Sequence, residues 1–363
     1  MAVGQTLGRA AVRAMCVVPH PGGHGSILVA AGARLVLMAW HLTWHDGNTR
    51  LRWQLLAQRA LPSTPHSTRG GAAAAEEADT RYLCLTAWAT DAEHVHVACG
   101  SSDAQLCVWS LPCPAPHQHS AWHLVATAQC AQLQLSAAHM HASGADMLIA
   151  SGGSDGTVTV WACPCQPPPQ QGPAAMRVLM ALHHVHQSGV NALRAGDWCV
   201  AGEALVVSGG DDGALCALAI THTPATGQLR ITGADRRAGA HASSIKAVAL
   251  HATGAAVTVS MDQRVRCWHI APTSPDAMPR LPAPDEPWLR LPAEQQAPDA
   301  DAGDMRGFWR AGGFSLLLSQ RAGRITEACD VESVACCPGG AGALMVAVAG
   351  SGTHVMRCND VSL

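Results

Sequence analysis

The stretch VSMDQRVRCWHI, Val259 to Ile270, decides how the rest of this chain is read. A short apolar run reaches Asp262 at a corner, and Val265 and Cys267 then alternate with Arg264 and Arg266 before Trp268. Alternation with period two predicts two strands joined by a tight turn, each with one buried face. An aspartate in the turn, followed six residues later by a tryptophan, is more than an edge hairpin needs. The pair is therefore either reactive or part of an architecture that repeats.

It repeats. HVACGSSDAQLCVW places Asp103 and Trp109 at the same spacing, and LIASGGSDGTVTVW places Asp155 and Trp161 there. VVSGGDDGALCALAI has Asp212, with Leu218 in place of the tryptophan. Four residues before each aspartate stand Cys99, Ser151, Ser208 and Thr258, small and mostly hydroxylic. Successive copies are 52, 57 and 50 residues apart, slightly more than the roughly 40–45 of a four-stranded propeller blade. Weaker units flank them at Ser26–Trp40 and Ala343–Cys358. A seventh could come from the chain ends or from the region Phe308–Leu318. The expectation is an all-β propeller of about six to seven four-stranded blades, spanning residues 1–363 as one domain.

Three insertions break the rhythm: 61–80, 162–176 and 271–304. The second, rich in Pro and Gln, reads as a segment that cannot be sheet. The third, acidic and proline-rich, reads as surface loop, either inert or a partner-docking strip anchored by Trp288 and Leu289.

The pattern resembles the WD-repeat family. In that family a loop histidine bonds the turn aspartate, and a strand hydroxyl and the indole N–H extend the network. The resemblance assigns His241, Thr258 or Ser260, Asp262 and Trp268 to the most complete blade. It assigns His186, Ser208 and Asp212 to the blade before, and Ser151, Asp155 and Trp161 to the one before that. Asp103 and Trp109 belong to an earlier one. The rival is a His/Asp/Ser hydrolytic triad, which needs an exposed nucleophile, whereas these hydroxyls fall inside predicted inner strands.

The chain has 363 residues, 48% of them apolar and 13% charged, with a formal net charge of −3. That balance gives no global attraction to nucleic acid or anionic membrane. Fifteen cysteines in a chain of this length, several inside strand-like runs (Cys99, Cys107, Cys216, Cys267), read as buried apolar thiols of a reducing compartment. No stretch approaches the length of a membrane span. Histidine pairs at His94/His96, His117/His119, His139/His141 and His183-His184-x-His186 invite a metal reading, but no CxxC accompanies them, and Cys163-x-Cys165 stands alone. Nor is there a P-loop, GxSxG elbow or HExxH, so the expectation is a non-catalytic chain without its own cofactor. Locally, Arg230, Arg236, Arg237, Lys246, Arg264 and Arg266 cluster in sequence and could hold phosphates; scattered solvated charge is the competing reading.

Three segments narrow the resemblance. HQSGVNALRAGD with VVSGGDDGAL, the segment Ala240–Ile270 with its Asp262-Gln263-Arg264 triplet, and DTRYLCL at Asp79–Leu85 are similar to words of the WD repeat-containing protein 6 family. ITEACDVESVACCPGG, Ile325–Gly340, resembles that family's approach to its last blade. The family comprises long cytosolic chains of several propellers, of which this sequence corresponds to the C-terminal one. What the resemblance implies is a cytoplasmic regulatory subunit for 2′-O-ribose methylation at position 34 of tRNA. It would bind the methyltransferase and orient tRNA, and the partner would hold S-adenosylmethionine. A generic adaptor in ubiquitin ligation or membrane recycling is the alternative.

Overall fold

The computed structural model describes residues 11–23, 25–45, 50–59, 80–89, 91, 93–113, 120–143, 146–165, 172–197, 203–223, 228–251, 254–272, 302–304, 316–338 and 344–358. Among them every regular element is a strand. Sheet one is Val12–Pro19, Ser26–Gly32, Leu37–His45 and Arg50–Arg59. Sheet two is Tyr82–Ala89, His94–Ser101, Gln105–Pro112 and His123–Gln129. Sheet three is Gln134–Ser143, Asp146–Gly153, Val158–Pro164 and Arg177–His183. Sheet four is Val190–Asp197, Glu203–Gly210, Leu215–Thr223 and Gln228–Arg237. Sheet five is Ile245–Leu250, Ala255–Ser260, Arg264–Pro272 and Leu316–Ile325. Sheet six has Cys329–Pro338 paired with Leu344–Cys358. In each of the first five, the four strands are hydrogen-bonded in chain order, as a blade requires.

The repeat is visible in the irregularities as well as in the strands. A bulge falls at the start of the first strand of sheets one, two, four and five, at Val12/Ala14, Tyr82/Cys84, Val190/Ala192 and Ile245/Ala247. A second bulge falls beside the tryptophan in sheets one, two and five, at Ala39/Trp40, Val108/Trp109 and Cys267/Trp268. Bulges increase local twist and re-aim side chains, so their recurrence marks a shared blade geometry.

The chain divides into two compact units, 1–149 with 162–177 and 150–161 with 178–363. In the first, Ile27, Val29 and Leu37 of sheet one share a buried cluster with Val95, Val97 and Trp109 of sheet two. In the second, Leu215 and Ala217 of sheet four pack with Trp268 and Ile270 of sheet five, whose opposite face, Val257 and Val265, packs on Val346 and Val348 of sheet six. Each fully buried aliphatic side chain contributes about 1.5–3 kcal/mol by leaving water.

The insertions are only partly loops. Residues 61–79, 166–171 and 273–301 lie outside the described residues, as do Trp288 and Leu289. Contrary to the expectation for 162–176, Ala162–Pro164 complete a strand of sheet three and Ala174–Ala175 add a short parallel strand to Ala126–Thr127 of sheet two. Ala302–Asp304, the end of the acidic insertion, adds a parallel strand to Ala181–His183 of sheet three. The reason is edge protection: the outer strands His123–Gln129 and Arg177–His183 expose backbone groups that an insertion can pair. Leu316–Ile325 also differs from expectation, because it closes sheet five and does not begin a further blade. Phe308 lies outside the described residues.

Candidate functional site

In sheet five the turn Met261-Asp262-Gln263 presents the Asp262 carboxylate to the histidine of the preceding loop. His241 Nδ1 lies 3.1 Å from both Asp262 carboxylate oxygens, and its Nε2 lies 2.7 Å from Thr258 Oγ1. Trp268 Nε1 donates to the same hydroxyl at 2.9 Å. Of the two hydroxyls the sequence left open, Thr258 is therefore in the chain, while Ser260 donates to the Ser243 carbonyl. Asp262 also accepts from the N–H groups of Ala242 and Arg264, which fixes the turn. Burial pushes the His241 pKa down and prevails over the attraction of Asp262, with Arg266 and Arg264 adding to the downward push. A neutral ring with its proton on Nδ1 then accepts from Thr258, and every polar atom in the chain is matched.

Sheet four repeats the first part and replaces the last. His186 Nδ1 is 3.0 Å from Asp212 and Nε2 is 2.9 Å from Ser208 Oγ. Leu218 leaves no indole, and Arg236 from the outer strand donates instead to Asp212, at 2.9 Å. The pair is nearly buried, with side-chain exposures of 10% for Arg236 and 6% for Asp212. Burial opposes a charge on His186, but the Cys216 sulfur and Asp212 outweigh it, pushing its pKa up to about 9. Burial likewise opposes the Asp212 charge, yet His186 and the N–H groups of Gln187 and Ala214 hold its carboxyl well below the usual range. Gly210 makes this possible, because a Cβ there would lie 2.6 Å from His186 Nδ1.

The remaining copies are thinner. Trp161 Nε1 donates to Ser151 Oγ at 2.8 Å, and Asp155 accepts from the Thr157 N–H at 3.1 Å. In sheet two Asp103 accepts from Ser101. Cys99 stands at the hydroxyl position, its thiol raised by burial and by neighbouring Cys84 and Cys107. The Trp109 ring there packs under the Arg59 guanidinium at 4.0 Å.

Sequence reasoning missed the backbone joint that accompanies the network. His186 donates its N–H to the Gly156 carbonyl, His241 to Gly213, Cys130 to Ala104 and Thr326 to Gln263, at 2.8–3.1 Å. Cys130 and Thr326 thus occupy the histidine position of their sheets. Each accepting residue follows a turn aspartate and has positive φ: Ala104 +60°, Gly156 +84°, Gly213 +68° and Gln263 +57°. The signal was the residue after each aspartate, glycine in two copies and not in the others.

The basic residues are divided by the structure. Arg236 is committed to Asp212, and Arg237 donates to the Leu318 carbonyl at 2.9 Å and lies 3.5 Å from Asp235. Both join neighbouring strands or sheets, so these two guanidinium groups are engaged within the fold. Arg266 bonds Gln320 at 3.0 Å. Lys246 is half-buried, and Arg264 is exposed beside the turn. Arg230 is exposed and pairs with Thr221, towards the opposite end of its strand from Arg237, which pairs with Leu215.

Of the histidine pairs, His94 lies 3.2 Å from Asp91. His96 and His139 both stack on Trp88, with centroids 5.9 and 4.5 Å away. His117, His119 and the His141 side chain lie outside what is described. Among the described residues no group of three or more His, Cys, Asp or Glu is placed to hold a metal, and no helix is long and apolar enough to cross a membrane.

Strands in blade order, turn aspartates bonded to loop histidines and indoles on strand hydroxyls together define a β-propeller of WD40 type. Residues 236–269 match the model of the WD domain, G-beta repeat. No curated protein matches the sequence. Solved structures share the fold: a chain of the crystal structure of the Chaetomium thermophilum polycomb repressive complex 2 aligns with 97% of this chain and 66% of its own, at 13% identity and TM-score 0.59. The complex with H3K27me3 and H3K27M gives 96%, 66%, 12% and 0.60. That bound to GSK126 gives 96%, 69%, 13% and 0.56. At such identity the likeness carries the fold and nothing of the partners. A propeller of this type is in general a scaffold for protein interactions.

Proposed function

We propose that this chain is a non-catalytic, cytoplasmic scaffold that acts as the regulatory subunit of 2′-O-ribose methylation in the tRNA anticodon loop. In this reading it binds the methyltransferase, which supplies S-adenosylmethionine and the chemistry, and it orients tRNA at position 34. One observation carries the reading. Asp262 is consumed by the blade network, but Gln263 and Arg264, which carry the family resemblance, are exposed at the hairpin tip. Gln263 adopts φ +57°, the left-handed conformation shared by the equivalent Ala104, Gly156 and Gly213, and its side chain stands at the tip of the turn.

The phosphate contacts in this reading are Arg264 and Lys246, with Arg230 and Arg266 subsidiary; Arg236 and Arg237 serve the fold. Affinity purification of the full chain, followed by identification of bound protein and RNA, tests the reading. A 2′-O-ribose methyltransferase and tRNA are expected, with R264A/K246A retaining less tRNA and showing a shallower dependence on salt. A captured set dominated by ubiquitin-ligase or coat subunits would overturn it in favour of the generic adaptor.

A further inference from the structure

The two outer strands of sheet five bring together four arginines from two separate stretches of the chain. The register pairs Arg264 with Ile325, Val265 with Arg324 and Arg266 with Gly323. Cys267 pairs with Ala322 and Trp268 with Gln320, so Arg321 is the extra residue of a bulge in the outermost strand. Arg264, Arg321 and Arg324 are exposed and Arg266 is half-buried. Neither Arg264–Pro272 nor Leu316–Ile325 contains an aspartate or glutamate. None of the four arginines is in an ion pair among the described residues. The nearby Asp262 carboxylate is taken by His241 and by the N–H groups of Ala242 and Arg264.

These side chains meet at the rim. Directly opposed residues share a face and neighbours alternate, so Arg264 and Arg266 lie on one face and Arg324 on the other. Arg266 reaches over the outermost strand, where its guanidinium donates to Gln320 Oε1 at 3.0 Å. Gly323, opposite Arg266, keeps that path open: a Cβ there would stand 3.2 Å from Gln320 Nε2 and crowd the side chain that receives the guanidinium. Cations therefore flank the edge from both faces.

The backbone of this edge limits what it can receive. The outer strands of sheets two and three each pair with an added strand, Ala174–Ala175 and Ala302–Asp304. In sheet five the Leu318 N–H donates to Asp235 at 2.7 Å, and the Leu318 carbonyl accepts from Arg237 at 2.9 Å. An extended peptide gains affinity by adding main-chain bonds to such an edge, and at Leu318 those groups are already bonded. The one indole of the two strands, Trp268, is buried, so bases find no stacking surface either. What remains suits a ligand recognised through a row of anions.

We infer that this rim, formed by Arg264, Arg266, Arg321 and Arg324, binds the phosphodiester backbone of RNA. A guanidinium can donate two parallel hydrogen bonds to one phosphate. Contacts of this kind position the nucleotide chain and are blind to its base sequence. The inference rests on the RNA-binding reading above and adds to its Arg264 and Arg266 two outer-strand residues which that reading does not use.

The test uses the full chain and a 5′-labelled oligouridine, with fluorescence anisotropy at several salt concentrations. R321A/R324A should bind more weakly, with a log–log salt slope shallower by about 1.4, about 0.7 for each phosphate that is no longer neutralised. R321K/R324K, which keeps both charges, should retain the wild-type slope. Oligothymidine of equal length should show the same loss, because phosphates are what the rim reads; a loss confined to the RNA would overturn a backbone site in favour of 2′-hydroxyl recognition. Both positions are exposed, and unchanged thermal melting confirms that the variants fold. An unchanged affinity and slope in R321A/R324A would overturn this site and leave the reading of Arg264 and Lys246 standing, since R264A/K246A measures that separately. No binding by the wild-type chain would overturn both. Oligoglutamate that binds more tightly than the RNA, and loses affinity in R321A/R324A, would assign the rim to an acidic peptide and overturn the inference.

Discussion

Sheets four and five have the same histidine, hydroxyl and aspartate in the same register, and they finish the network in opposite ways. Sheet five ends it with an indole, which adds a neutral donor and lets His241 remain uncharged. Sheet four has Leu218 at that position and brings Arg236 from the outer strand onto the aspartate, beside a histidine whose pKa is raised. The outer-strand residue opposite Cys216 is Arg236; its counterpart opposite Arg266 in sheet five is Gly323. One blade is held by a relay of neutral hydrogen bonds around a single carboxylate, the other by buried charge. The same geometry can thus be stable in two electrostatic states, depending on whether a tryptophan or an arginine completes it.

The largest expected effect comes from removing the carboxylate. Asp212→Asn leaves Arg236 and His186 without a counter-charge in a nearly dry site and should cost about 3–5 kcal/mol. Asp262→Asn, where no arginine is buried, should cost about 1–3 kcal/mol. Denaturant melts of the two variants decide this, and equal losses would break the comparison. Next is Gly210→Ala, which forces a Cβ against the His186 ring and should cost about 1–3 kcal/mol. Thr258→Val, which removes the oxygen shared by His241 and Trp268, should cost about as much, again read from denaturant melts.

The pH dependence separates the sheets by sign. His186, raised to about 9 in the folded chain, contributes stability that is complete below the unfolded value near 6.5 and is lost as pH rises through about 9. His241 is lowered, so its contribution is present above about 6.5 and is lost as pH falls through the folded value. Melting temperatures across pH should therefore show a flattened alkaline limb for His186→Gln and a flattened acid limb for His241→Gln. The smallest effect is at the turns. Gln263→Gly relieves the left-handed residue and should stabilise the chain by up to about 1 kcal/mol, while weakening partner binding if the tip is a contact. Paired melting and pull-down measurements check both.

Much of this was legible in the sequence, for reasons that can be named. The aspartate-to-tryptophan spacing is local, since both residues sit on one hairpin, and the hydroxyl on the adjoining strand is four residues before the aspartate. Period-two alternation exposed the strands even in alanine-rich segments. The engagement of Arg236 was not legible because its partner Asp212 lies 24 residues away, in the turn before the neighbouring strand, and a cluster of arginines in sequence does not reveal which one is buried. Cys130 and Thr326 were invisible as histidine substitutes because the interaction they preserve is a backbone N–H, which every non-proline residue carries.

The sequence by itself determined the class, an all-β chain of repeated blades, because a blade is built from short-range pattern: alternation, a turn aspartate, a small hydroxyl and an indole. The tertiary structure decided which charges are spent inside and which remain outside. It consumed Arg236 and Arg237, exposed Gln263 and Arg264 at a turn tip, and set Arg321 and Arg324 beside Arg264 and Arg266. Burial and pairing depend on residues far apart in the chain, and no local spacing records them.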